Sequence, residues 1–294
     1  MIRKAVIPAA GFGTRFLPLT KAQPKEMLPI VDTPTIQYVV EEAVASGITD
    51  ILMVIGKSKR SIEEHFDRNY ELEEELRVKK KDNLLNQIRE ISNMTDIHFV
   101  WQKELNGLGD AVLHARNHVG NEPFALLLGD TVLESHNEVP VTRQLMDVYY
   151  EHQGSVVAVE KVPESKVSRY GIMDGSEVTP GVFRVNDLIE KPSIKEAPSN
   201  LAFAGRYIFQ PEIFDYLAQG ERGKNNEVQI TDAMSAMAAR RPMFGYQFEG
   251  KRHDMGNKLD FVKTNVEFAL KDNELSYDLG NYLRELVKEL DDRK

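Results

Sequence analysis

The chain has no cysteine. Disulfides, thiol nucleophiles and thiolate metal sites are therefore excluded. No stretch approaches the ~18 uninterrupted apolar residues of a membrane-spanning helix. The N-terminus shows no charged segment followed by a long apolar run, so no signal peptide is expected, and a cytoplasmic protein is the default reading. Positive charge is also in short supply: 46 acidic against 37 basic side chains give a formal charge of −9. A general nucleic-acid binder, which needs a broadly basic face, is not expected. A phosphate-handling enzyme stays open, because a local basic pocket can sit within an acidic surface.

With 294 residues, 41% of them hydrophobic, the chain can bury a large core as one big α/β domain or two small ones. AVIPAA (5–10), ILMVIG (51–56), IHFVWQ (97–102), FALLLGD (124–130) and SVVAVEKV (155–162) read as buried strands. Their apolar character is continuous, which predicts a parallel sheet covered on both faces. Between the first two, Ile36, Val39, Val40, Ala43 and Val44 fall on one helical face, with Pro34 at its start and Gly47 at its stop. Strand, helix and strand in repetition predict a doubly wound α/β layer. Residues 59–92 are highly charged and predict one or two solvated helices that dock through Ile62, Phe66, Leu72, Leu76, Leu84, Leu85 and Ile88. Beyond residue 162, YGIMD, GVFRVNDLIEKP and LAFAGRYIFQ are strand-like and suggest an inserted β layer. Helices are expected again at 228–240 and 258–270. The tail carries an apolar stripe through Leu279, Tyr282, Leu283, Leu286, Val287 and Leu290, to be covered by its own domain or by a partner subunit.

The first strand runs into PAAGFGTRFLPLTKAQPKEMLPI (8–30). Glycines directly after a strand stand where ligands bind in open α/β sheets. Two phosphate motifs fail here: the dinucleotide fingerprint needs a third glycine where Phe16 stands, and no Gly-Lys-Ser/Thr of a P-loop follows. Instead Gly11 and Gly13 allow backbone N–H groups to approach a phosphate, Thr14 adds a hydroxyl and Arg15 a planar charged fork. Lys25 and Glu26 follow. Prolines 18, 24, 29 and 34 restrict the loop and keep its cations in place.

GFGTRFLPLTKAQPKEMLPI resembles the signature of the sugar-1-phosphate nucleotidylyltransferases. The longer KAQPKEMLPIVDTPTIQYVVEEA is similar to the bacterial uridylyltransferase branch, which joins UTP to glucose 1-phosphate. The resemblance continues, in order, through WQKELNGLGDAV, LLGD, RYGIMD, LIEKP, APSNLAFAGRYIF, EVQITDA and GKRHDMGNK. It implies a Rossmann-like three-layer α/β/α nucleotide-diphospho-sugar transferase fold, with the inserted β layer and C-terminal helices. It implies a single domain over 1–294: a nucleotide-binding part to about 160, a sugar-binding part over about 161–257, and helices over 258–294 that are a candidate oligomer contact. It further implies Mg²⁺ dependence and a homodimer or homotetramer. UTP, glucose 1-phosphate, UDP-glucose and diphosphate are the implied partners.

The remaining motifs take roles within that frame. Asp130 ends an apolar strand, and a carboxylate there suits Mg²⁺, which prefers carboxylate and phosphate oxygens. Asp254 is the second metal carboxylate by resemblance; its neighbour His253 reads as structural. Gln102, a strand-end amide with one donor and one acceptor face, is expected to read the uracil edge, and Gly107 to admit the base. Ala10, Gly11, Gly13, Thr14 and Glu26 complete the expected nucleotide contacts. Trp101 is expected to be packed rather than stacked on the base. Glu190 is expected on sugar hydroxyls, Lys191 on the sugar phosphate, and Gly171 and Gly205 where sugar meets backbone. Arg206 and Tyr207 support that wall. Arg15, Lys25 and Lys191 are the expected catalytic cations. No general base is needed, since a phosphate monoester with a second pKa of about 6 is already largely dianionic at pH 7. Phe12, Asp110, Thr131 and the stretch 224–229 depart from the usual family pattern. A relative using dTTP or another sugar phosphate, a UDP-glucose sensor and a dinucleotide oxidoreductase are the alternatives.

Overall fold

The computed structural model describes residues 1–220 and 226–293, so that of the stretch 224–229 residues 224 and 225 lie outside the described residues. Strand β1 (Lys4–Ala9) is buried nearly throughout, as its apolar run predicts. The glycine–proline loop follows and closes in a ribbon of β2 (Pro29–Ile30) and β3 (Thr33–Pro34). Helix α1 (Thr35–Ala45) buries Ile36, Val39, Val40 and Ala43 on the expected face. It leads to β4 (Asp50–Ile55), parallel to β1.

The charged run then folds as three helices rather than one or two: α2 (Arg60–Phe66), α3 (Tyr70–Val78) and α4 (Asp82–Ser92). Ile62, Phe66, Leu76 and Leu85 are buried, Ile88 is half-buried, and Leu72 and Leu84 are exposed. Leu84 is rotated by about 100° from the docked Leu85, which turns it out of the apolar stripe. Asn69 breaks the run by capping α3, its Oδ1 accepting the Leu72 N–H at 3.0 Å. Glu73 locks the helices together, since its carboxylate accepts from Arg68 at 3.0 and 2.9 Å and from Arg89 at 2.8 Å.

Strand β5 (Asp96–Trp101) runs parallel to β4 at the edge of the sheet, so it is only partly covered. Trp101 is 56% exposed there, not packed as expected. Next come α5 (Leu108–Leu113), α6 (Arg116–Val119), β6 (Phe124–Leu127), β7 (Thr131–Ser135), α7 (Val141–His152) and β8 (Ser155–Lys161). The strand-like segments beyond residue 162 form β9 (Gly171–Thr179), β10 (Val182–Glu190) and β11 (Leu201–Phe209). They extend the main sheet. After α8 (Ile213–Gln219) and α9 (Ile230–Ala238) come β12 (Met243–Gln247), β13 (Gly250–Asp254), α10 (Lys258–Ala269) and α11 (Ser276–Asp291).

The sheet order is β5-β4-β1-β6-β11-β8-β12-β10-β9. The pairs β5–β4, β4–β1, β1–β6 and β8–β12 are parallel, as the continuous runs predict. The fully buried β11 is antiparallel to both of its neighbours β6 and β8. Adjacent residues of β1 face opposite layers: Ile7 packs with α1 and α7, whereas Val6 packs with α5, α8 and α9. That is the three-layer α/β/α arrangement. Separately, β13 pairs antiparallel with β7 and sets Asp254 opposite Thr131. Helix α11 has no buried residue. Among the described residues no helix is long and apolar enough to cross a membrane.

Candidate active site

The C-terminal ends of β1, β4, β5 and β6 open on one edge, and the loops there carry the chemistry. After β1 the chain makes three single turns of 3-10 helix: Thr14–Phe16, Leu19–Lys21 and Lys25–Met27. Gly13 starts the first with φ 65°, and a Cβ there would stand 3.0 Å from Lys25 Cβ, so only glycine lets the loop fold onto Lys25. Thr20 Oγ1 donates to Gly13 O at 2.8 Å, and Phe16 is buried edge-on against Phe261 of α10 at 5.7 Å. The loop is therefore fixed by packing as well as by proline.

A cleft of about 500 Å³ is lined by Ala10, Gly11, Lys25, Glu26, Gln102 and Gly107. A second, of about 310 Å³, is lined by Arg15, Gly171, Glu190, Lys191, Gly205 and Asp254. Asp130 lines both and marks where they meet. The structure thus gathers the residues singled out from sequence around one two-lobed cleft, with two exceptions. Gly13 shapes the turn beneath Lys25, and Thr14 stands exposed on the loop; neither lines a lobe.

Lys25 Nζ lies 2.5 Å from Asp130 Oδ2. Burial alone would lower the lysine pKa, but the charges of Asp130 and Glu26 outweigh it and hold Lys25 above its usual value. Burial would likewise raise Asp130; the charge and hydrogen bond of Lys25 instead keep its carboxyl below the usual range. Asp254 behaves oppositely, pushed up first by burial and then by the negative charge of Asp130. A point at the position of a Cβ on Gly256 is 3.1 Å from Asp254 Oδ1 and 3.4 Å from Asp130 Oδ2, so the two carboxylates face a common space. A mutually repelling, oxygen-only pair of this kind fits a hard divalent cation.

Beneath the first lobe, Lys59 Nζ donates to Gly11 O and to Glu26 Oε2, both at 2.7 Å. Glu26 Oε1 is buried without a hydrogen-bond partner among the described residues. Burial raises the pKa of Glu26 and lowers that of Lys59, each opposed by its partner's charge. Gln102 is buried, and its Nε2 donates to Asp110 Oδ2 at 2.6 Å and to Gly107 O at 3.2 Å. Both partners can only accept, so the amide nitrogen must face them and Oε1 is left for a ligand.

In the second lobe, Lys191 Nζ pairs with Glu190 Oε1 at 2.7 Å, while Glu190 Oε2 accepts from Thr231 Oγ1 at 2.7 Å. Lys191 has φ 47°, a left-handed value for a residue with a Cβ, and such strain concentrates at functional positions. A Cβ on Gly171 would stand 2.2 Å from the Phe203 ring, so glycine is needed there for packing as well as for access. Arg206 is buried; it donates to Glu42 Oε2 at 2.7 Å and to Thr131 O at 2.9 Å, bracing the chain beside Asp130. His253 is structural, with Nδ1 3.1 Å from Thr264 Oγ1.

A nucleotidyl transferase family profile matches residues 4–270. The chain belongs to the nucleotidyl transferase family. It is 53% identical over 285 residues to the UTP–glucose-1-phosphate uridylyltransferase of Staphylococcus haemolyticus, a match covering 97% of this chain and 98% of that one. A solved UDP-glucose pyrophosphorylase complexed with UDP-glucose superposes with a TM-score of 0.86 at 44% identity, covering 92% of this chain and all 100% of that one. The UTP-bound enzyme from Acinetobacter baumannii gives a TM-score of 0.89 at 38% identity, covering 97% and 100%.

In this nucleotidyl transferase three groups near the cleft escaped the motif reading. Lys59 lay inside a charged run read as solvated, though its place just after β4, on the ligand-binding edge, was a usable signal. Asp110, which departs from the usual family pattern, orients the Gln102 amide. Arg252, within GKRHDMGNK, donates to Phe203 O at 3.0 Å, sits 4.0 Å over the Tyr170 ring and lines the second lobe; the motif points to Asp254 and gives Arg252 no role of its own.

Proposed function

We propose that the chain transfers uridylyl from UTP to α-D-glucose 1-phosphate, giving UDP-glucose and diphosphate. The observation that carries this is the single cleft in which an amide-lined lobe holding Lys25 and a Glu190–Lys191 lobe meet at Asp130. The names of its close relatives support the same reading.

UTP enters the first lobe. The base is selected by Gln102 Oε1, an acceptor matched to the N3–H of an imide. Cytosine offers an acceptor at that position and is disfavoured; thymine shares the imide, so dTTP remains the nearest competitor. Gly107 admits the base edge, and Glu26 Oε1 is an acceptor suited to a ribose hydroxyl. Ala10 and Gly11 present backbone to the nucleotide, and Arg15 and Lys25 bind its phosphates and the leaving diphosphate.

Glucose 1-phosphate enters the second lobe. Lys191 binds its phosphate as a point charge, Glu190 accepts from the sugar hydroxyls, and Gly171 and Gly205 let the sugar lie against backbone. A phosphate oxygen then attacks the α-phosphorus in line and diphosphate leaves. The work of the site is positioning and charge compensation. Asp130 and Asp254 are the residues to hold Mg²⁺, which when bound would neutralise charge on the phosphate oxygens. Before then, Lys25 compensates Asp130, and its release onto a phosphate frees that carboxylate.

The nucleotide-binding part (to about 160) and the sugar-binding part (about 161–257) work as one domain. The uncovered stripe of α11 supports a homodimer or homotetramer, and a cytoplasmic location accords with a reaction whose substrates are charged nucleotides and sugar phosphates. The test is diphosphate release across four nucleoside triphosphates and several sugar 1-phosphates. Release greatest with UTP and glucose 1-phosphate is expected; release with no pair would overturn the reading in favour of a sensor.

A further inference from the structure

A second cluster of ligating side chains lies at the other end of the sheet. Asp50 is the first residue of β4, His98 lies in the edge strand β5, and His118 lies in α6. Asp50 pairs with Asp96, so His98, two residues on, projects from the same face of the sheet as Asp50. His118 meets them there. Its Nε2 lies 2.7 Å from Asp50 Oδ1, and His98 Nε2 lies 3.7 Å from the same oxygen. The two rings are 5.0 Å apart, tilted by 53°. One ligand atom from each residue falls within 4.8 Å of the other two.

We propose that Asp50, His98 and His118 form a transition-metal site of the Zn²⁺ class, distinct from the Mg²⁺ carboxylates. Bonds of about 2.0–2.2 Å at tetrahedral angles put neighbouring donor atoms about 3.3–3.6 Å apart. The two separations from Asp50 Oδ1, 2.7 and 3.7 Å, bracket that spacing, and the imidazole donors lie within 4.8 Å of each other, so rotation of the half-exposed His98 side chain would close the site. Two imidazoles and a carboxylate suit Zn²⁺, Co²⁺ or Ni²⁺; Mg²⁺ prefers oxygen alone. Water completes the fourth position. Two cations lie nearby, Lys4, in register with Asp50 and donating through Nζ to His118 O at 2.9 Å, and Arg3. Neither opposes the ion at full strength, because Glu122 accepts from Arg3 at 3.0 and 3.1 Å and pairs with Lys4 Nζ at 2.7 Å. The site sits at the start of β4, whereas the cleft lies beyond the strand ends, so the metal does not enter the transfer reaction. Its effect is mechanical: it ties β5, which among the described residues pairs in the sheet with β4 alone, to α6, and stabilises the folded chain by mass action.

The test uses the whole protein with saturating Mg²⁺ present. Co²⁺ is titrated while visible absorption is followed, and Zn²⁺ is then used to displace it. The expected result is one ion per chain with a tetrahedral cobalt spectrum, and a thermal midpoint raised by Zn²⁺. His98→Ala leaves the His118–Asp50 contact intact and is expected to cost about tenfold or more in affinity. H98A/H118A is expected to abolish the spectrum and the thermal shift while turnover stays at the wild-type level. A cobalt spectrum that is absent, or Zn²⁺ affinity unchanged in H98A, would overturn the proposal.

Discussion

Lys25 and Asp130 neutralise each other before either meets a substrate, and the same holds for Lys191 and Glu190. Two of the three cations proposed for the chemistry are thus held in place by an acid, whereas Arg15 donates to the backbone oxygen of Gly256 at 3.4 Å. Such pairs make single substitutions asymmetric. Lys191→Ala should lower kcat/KM for glucose 1-phosphate about 10- to 100-fold, the loss of one charge-assisted hydrogen bond of ~1.5–3 kcal/mol. UTP binding by calorimetry should stay nearly unchanged; equal losses for both ligands would remove Lys191 from the sugar phosphate. Asp110 argues similarly for the base. In Asp110→Asn the partner can donate as well as accept, so the Gln102 amide is free to reverse. The preference for UTP over CTP should fall about tenfold, ~1.4 kcal/mol, in competition assays; unaltered preference would detach Asp110 from base selection. At this scale the sequence offered the groups proposed to touch ligand but not the partners that hold them. Gln102 and Asp110 are neighbours in one short segment, yet their bond depends on a turn through Gly107 that no pattern announced. Arg206 and Glu42 meet across 164 residues, beyond any local signal.

Among elements, the module of α2, α3 and α4 rests on Glu73. Hydrogen bonds from Arg68, then from Arg89, hold its carboxyl at about 2, against the usual 4.5. Because the folded pKa is depressed, this stabilisation is complete above pH 4.5 and is lost as pH falls towards 2. Glu73→Gln should therefore be less stable than the wild type at neutral pH, with a gap that closes as the pH falls through that window. Thermal midpoints and hydrogen exchange in α3 and α4 would measure it; a gap constant with pH would show that the ion pairs do not hold the module. The strands of the first half were legible because a buried parallel strand is apolar in every residue. The same reading cannot give direction: β11 is buried throughout, Arg206 included, and runs antiparallel, placed between β6 and β8 by the chain's return from β10. Edge position was equally silent, which is why β5 and Trp101 proved more exposed than their composition suggested.

Across the whole molecule, net charge says little about the site. A chain of charge −9 gathers Arg15, Lys25 and Lys191, the cations proposed for the chemistry, around one cleft. The legible part here was the glycine–proline loop, whose residues are contiguous; the second lobe is assembled from β9, β10, β11 and β13 and was readable only through a family resemblance. The uncovered side of α11 belongs to this scale as well. Tyr282, Val287 and Leu290 are 58%, 55% and 51% exposed on an amphipathic helix. Light scattering should give a mass of two or four times 33.4 kDa, and Val287→Asp with Leu290→Asp should reduce it to one chain. A monomer in the unaltered protein would contradict that assembly.

The central claim is that glucose 1-phosphate is the nucleophile and diphosphate the leaving group. Glucose 1-phosphate carrying ¹⁸O in its three non-bridging phosphate oxygens, incubated with UTP and Mg²⁺ and followed by mass spectrometry, tests it directly. The account predicts all of the label in UDP-glucose and none in diphosphate. Label in diphosphate, or UTP consumed without labelled UDP-glucose, would contradict it.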